Sequence, residues 1–203
     1  MAAARGSDVF EASQVRILSA SGGVVGAGFL VAADVVCTCA HVVARAVSDA
    51  AGGMASTPVD LDFPVLSGRP QARATVVSWR SGGADVALLR LDAAVEGARP
   101  APLPDGTGVW GHMFRVFGYP DHADCGVWAS GTLRAGQGSG WVQMEAQEPG
   151  PRISEGFSGA PVWDEAQDGV VGMTVAAHLG ASTAYLLPSA GQARVRARAG
   201  HRL

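Results

Sequence analysis

At 203 residues the chain can form one large domain or two small ones sharing an interface. Its residues are 48% apolar and only 16% charged, which supplies a core and argues against wholesale disorder. A formal charge of −3 gives no basic stripe of the kind a nucleic-acid surface needs.

The first residues, MAAARGSDVFEASQ, hold no apolar h-region, so no signal peptide is visible, and residues 1–12 read as an N-terminal arm. QVRILSA (14–20) alternates apolar and polar residues. After a glycine turn at 21–23 come GAGFLVAA (26–33) and DVVCTCA (34–40), short Val-rich strands. AHVVARAV (40–47) can make one or two helical turns. The run 24–43 approaches membrane-spanning length, but Asp34, His41 and its glycines fit two strands and a short helix better than a span.

A Gly/Ser/Pro loop follows at 48–58. VDLDFPVL (59–66), ARATVVSW (72–79) and ADVALLRL (84–91) are again strand-like, with Pro64 marking an edge or a bulge. Residues 95–108 concentrate proline and glycine and make the best linker. Beyond it the short strands resume: 112–120, 126–135, 140–146, 161–164, 169–177 and 182–188. The tail GQARVRARAGHRL is basic, without a core pattern, and reads as a frayed end or a linker. The expected organisation is a first unit over 13–95, a linker over 96–107, a second unit over 108–188 and a tail over 189–203. Roughly twelve short strands in two runs, with no helix of ordinary length, point to closed or sandwiched antiparallel sheets.

Every one of the fifteen basic residues is arginine, and there is no lysine or asparagine. That bias fits a high-GC, bacterial genome. The three cysteines do not form an even disulfide framework, and Cys37 and Cys39 face the same way on one strand, where a core role is the simpler reading. A soluble, cytoplasmic protein is expected, with no metal and no organic cofactor.

One stretch carries chemistry. In EGFSGAPVWD (155–164), Gly156 and Gly159 flank Ser158, and Pro161 sets the exit into an apolar strand. A tight loop of this kind presents a hydroxyl and neighbouring N–H groups to one space. It suits a nucleophile, and equally an ordinary turn. A nucleophilic serine needs a base, and histidine titrates in the right range. Of five histidines, His41 ends a buried strand and opens a helical turn, so its backbone is fixed. An imidazole base needs a carboxylate behind it. Asp85 opens an otherwise apolar strand and is the best candidate; Asp60 and Asp62, in an alternating segment, are weaker. His112 and His178 read as strand or loop residues, and His112 and His122 lack zinc-site spacing.

TCAH, DVALLRL and GFSGAPV, in the order His, Asp, Ser, resemble the motifs of the trypsin-like (chymotrypsin-fold) serine proteases, nearest to their disulfide-poor bacterial members. The resemblance runs from about residue 13 to 188. It implies an all-β fold of two six-stranded antiparallel barrels with the active site in the cleft between them. It also implies His41 as general base, Asp85 as its partner and Ser158 as nucleophile, with the N–H groups of Gly156 and Ser158 forming an oxyanion hole. By the same resemblance, Gly172, Met173 and Thr174 line a substrate pocket and Arg152 lies near its floor, although a solvated loop arginine is the simpler reading of Arg152. The chain departs from the pattern at Phe157, where digestive relatives carry an aspartate that pairs with a new N-terminus after zymogen cleavage, and at Ala160, which replaces a glycine. The expected partners are a protein or peptide substrate and a regulatory partner or fused domain. The competing expectation is a catalytically silent barrel pair that binds peptides or proteins.

Overall fold

The computed structural model describes residues 6–47, 57–81, 84–121, 123–138, 140–177 and 183–188. Twelve strands form two closed six-stranded antiparallel barrels. In the first, β1 (Gln14–Leu18), β2 (Val24–Ala32), β3 (Val35–Thr38), β6 (Val86–Leu91), β5 (Gln71–Arg80) and β4 (Val59–Asp62) are neighbours in that order, and β4 closes back onto β1. In the second the order is β7 (Met113–Gly118), β8 (Val127–Gly136), β9 (Val142–Ala146), β12 (Thr183–Pro188), β11 (Gly169–Ala177) and β10 (Pro161–Asp164), which pairs with β7. Two short helices complete the description, α1 (Gly6–Ser13) and α2 (Ala40–Ala46). Among the described residues no helix is long and apolar enough to cross a membrane.

Period-two patterning explains most strands. In β9, Val142, Met144 and Ala146 are buried while Gln143 and Glu145 lie between them. β2 departs from the alternation: Gly26 to Val31 are all buried. Phe29 and Leu30 share a core cluster with Trp163, Val170 and Met173 of the second barrel, while Ala27 belongs to the cluster that fills that barrel's own core, so β2 is covered on both faces.

The expected strands sit within a few residues of those observed, and three local differences have physical causes. β4 stops at Asp62, because a proline at 64 cannot continue the ladder. The strand read from residue 84 begins at Val86, and Asp85 lies just before it in left-handed conformation (φ 38°). The expected arm contains α1, whose Phe10 ring packs 5.0 Å from Trp163 and 5.8 Å from Trp128. Trp110 is 66% exposed and lies beneath the Arg134 guanidinium.

The barrels are stitched together along the chain. In the connector, Arg99 N–H donates to Ala12, Ala101 N–H donates to Leu30 of β2, and the Pro102 carbonyl accepts from Val170 of β11. Arg16 of β1 pairs with Asp62, donates to the Asp124 carbonyl (2.6 Å) and lies 5.8 Å from the Tyr119 ring centroid.

Candidate active site

His41 is the second residue of α2. The first N–H groups of a helix lack intrahelical partners. Cys39, at the capping position, makes no side-chain cap. Asp85, just ahead of β6, the strand beside β3, supplies that function: its Oδ1 accepts the His41 backbone N–H at 3.0 Å, and its Oδ2 lies 2.7 Å from His41 Nδ1. One carboxylate therefore fixes both the backbone and the ring of the histidine. With Nδ1–H donating to Asp85, the lone pair stands on Nε2, which can take a proton. The left-handed φ of Asp85 is one that Asp and Asn adopt more readily than other side-chain-bearing residues.

Behind this pair lies Cys39, fully buried, its thiol 3.4 Å from the Thr174 carbonyl. Burial first, and the nearby Asp85 charge second, push its pKa well above the ordinary thiol range. Ligand atoms of Cys39, His41 and Asp85 lie within 4.8 Å of one another. A metal-bound sulfur must be a thiolate, so a thiol held protonated fits a packed floor beneath the His–Asp pair better than a metal ligand. Trp79 Nε1–H donates to the Ala40 carbonyl (3.1 Å) and closes over the first turn of α2. This contact carries no sequence signal, since the two residues are joined only by the barrel.

Ser158 sits on a pair of tight turns. Phe157 N–H donates to Ser154 and Ala160 N–H donates to Phe157. Gly156 (φ 97°) and Gly159 (φ 83°) each hold the third turn position with positive φ, while Glu155 and Ser158 do not have positive φ. This is the type II pattern, which demands glycine at that place. Space demands it as well: a Cβ on Gly156 would lie 2.1 Å from the Tyr119 carbonyl, and one on Gly159 2.1 Å from that of Ala27.

The serine turn is moored on three sides. Gly159 N–H donates to Thr174 and Thr174 N–H to Ala160; Ala27 of β2 donates to the Ser158 carbonyl (2.9 Å); and Tyr119 N–H donates to Gly156 (3.0 Å). Two observations set it against α2. A Cβ on Gly26 would touch both Val42 (2.7 Å) and the Ser158 carbonyl (3.1 Å). Arg45, one helical turn after His41, pairs with Glu155 at 2.5 Å.

The remaining predicted residues lie elsewhere around this turn. Gly172 and Met173 are interior to β11, paired to β10 on one side and β12 on the other. Met173 is fully buried with its sulfur 3.9 Å from Cys37 Sγ. Thr174 is buried and braces the serine loop through its backbone. Arg152 is half-exposed and pairs with Glu148 (3.3 Å). The weaker aspartates are engaged by arginines, Asp60 by Arg73 and Asp62 by Arg16. His112 pairs with the fully buried Asp164 in the second barrel. His122, His178 and His201 lie outside the described residues.

A family model described as a trypsin-like peptidase domain matches residues 26–173. Among solved structures, Rv3671c from M. tuberculosis H37Rv in an inactive mutant form is 24% identical, with TM-score 0.70, over 97% of this chain and 91% of that one. The active form of the same protease is 23% identical, with TM-score 0.70, over 96% and 84%. The serine endoprotease from Yersinia pestis is 14% identical, with TM-score 0.73, over 100% and 69%. No curated protein sequence matches the chain.

Proposed function

Because the chain belongs to the trypsin-like peptidase family of serine hydrolases, we propose that it is a serine endopeptidase working through His41, Asp85 and Ser158. The observation that carries this reading is the two-point grip of Asp85 on His41, facing a serine turn whose glycines are both conformationally and sterically required.

In this reading His41 Nε2 takes the Ser158 hydroxyl proton as the oxygen attacks the scissile carbonyl. Asp85 holds the tautomer and stabilises the imidazolium. The N–H groups of Gly156 and Ser158 receive the developing oxyanion; the type II turn at Glu155–Gly156 turns that peptide over relative to a type I turn. His41 then protonates the leaving amine, and water repeats the sequence on the acyl-enzyme. Thr174 acts from below, through the backbone pairs that hold Gly159 and Ala160. Arg152 is the candidate contact for an acidic side chain of the substrate, in competition with Glu148. A bound or fused regulatory partner is part of the proposal, since Phe157 offers no carboxylate for a new N-terminus.

A fluorophosphonate probe tests the chemistry. Labelling of the wild type that disappears in Ser158→Ala and His41→Ala is the expected result. A wild type that stays unlabelled, alone and with candidate partners, would identify a peptide-binding module instead. A peptide-library digest then separates peptidase from esterase and reads the preference attributed to Arg152.

A further inference from the structure

The residue just before Ser158 is fully buried. The Phe157 ring enters the core of the second barrel, and the wall it meets is Gly118, the last residue of β7. A Cβ on Gly118 would lie 2.3 Å from Phe157 Cδ1 and 2.4 Å from Cγ. Gly118 does not have a positive φ. Its backbone therefore does not call for glycine; the ring does. One residue along each chain the contact repeats in backbone form. Tyr119 N–H donates to the Gly156 carbonyl at 3.0 Å, and the Tyr119 carbonyl fills the place a Gly156 side chain would occupy. Gly118–Tyr119 and Gly156–Phe157 thus interlock as two rungs, one apolar and one hydrogen-bonded.

The geometry points to Phe157 and Gly118 as positioning residues for the serine turn. The ring, seated in the socket left by the missing Cβ, sets the depth of the turn, and the Tyr119–Gly156 hydrogen bond sets its rotation. This rests on the reading of the Gly156 and Ser158 N–H groups as the oxyanion site. It goes beyond that reading in saying what holds them: an apolar plug that needs no charge, no new N-terminus and no cleavage of the chain. Phe157 and Gly118 touch no substrate; they act through Gly156 and Ser158.

The socket can be filled from either side, so a double-mutant cycle tests it. Gly118→Ala adds the methyl that collides with the ring. Phe157→Ala removes every side-chain atom beyond Cβ, including the Cγ and Cδ1 that the added methyl would meet. Gly118→Ala with Phe157→Ala restores the space. In the full chain, at temperatures where melting curves show every variant folded, each single variant is expected to lower kcat on an ester or peptide substrate by about tenfold or more. That is a part of the ~10²–10³ that loss of an oxyanion donor costs. KM is expected to stay within about twofold, and the double variant to recover at least part of kcat. Amide hydrogen exchange across 154–159 is expected to rise in Gly118→Ala and fall back in the double variant. Single variants that melt lower yet keep wild-type kcat, or a double variant no better than its parents, would overturn the inference. If Gly118→Ala does not fold, Phe157→Ala decides by the same split between kcat and KM. A wild type that turns over nothing, alone and with candidate partners, overturns the peptidase reading instead, and the exchange measurement then judges the plug alone: unchanged exchange at 154–159 sinks it.

Discussion

Asp85 shows how much one side chain can organise. It caps α2 at the His41 N–H and orients the ring beside it, from a left-handed backbone position ahead of β6. Asparagine tolerates that conformation and keeps an oxygen for the backbone contact. Asp85→Asn is therefore expected to fold with nearly unchanged melting temperature, while losing roughly 10⁴ in kcat through the wrong tautomer of His41. Steady-state kinetics beside a melting curve measure both halves of that claim. At this scale the sequence was informative where a polar residue interrupts an apolar run, as with His41 and Asp85, or where glycines bracket a serine. It was silent on Gly118 and on the contacts that Cys39 and Trp79 make near the site, which come from pairings between distant segments.

Among the elements, the contact between α2 and the serine turn bears directly on the proposed chemistry. The Arg45–Glu155 pair is short but exposed, with side chains 52% and 69% accessible. Exposed pairs contribute about 0.2–1 kcal/mol and weaken as salt rises. Glu155→Gln should accordingly lower kcat/KM by no more than about fivefold at low ionic strength, with the difference from wild type fading by 0.5 M salt, on the order of the screening expected there. A loss far larger than this, insensitive to salt, would assign Glu155 a role other than an ion pair. Strand positions were legible because inward and outward residues alternate and turn residues punctuate them. α1 was not, since one Phe in an eight-residue segment gives no 3.6-residue period, and its order comes from the stack of Phe10 on Trp163.

Across the whole molecule, two runs of strands about a Pro-rich connector were legible in the pattern, and the two closed barrels followed from the resemblance to trypsin-like proteases. The seam between the barrels was not, because it joins residues such as Arg16 and Asp124 that are 108 positions apart. Arg16 is central to that seam. Its pairing with Asp62, whose side chain is only 7% accessible, is nearly dry. Removing one partner of such a pair strands the other charge, at a cost of about 3–5 kcal/mol. Arg16→Met is expected to lower the unfolding free energy by that amount, measured as an earlier midpoint in urea without a change in slope. A midpoint within error of wild type would mean that Asp62 finds other solvation.

The hydrogen bond from Ala27 to the Ser158 carbonyl has a wider consequence. Ser158, the proposed nucleophile, belongs to one half of the molecule by covalent connection and to the other by its carbonyl, so neither half owns it. Any stress that parts the halves, whether heat, denaturant or mechanical load, reaches this residue before it melts either sheet. Loss of reactivity should therefore run ahead of loss of secondary structure, and the serine becomes the fold's own early indicator of separation.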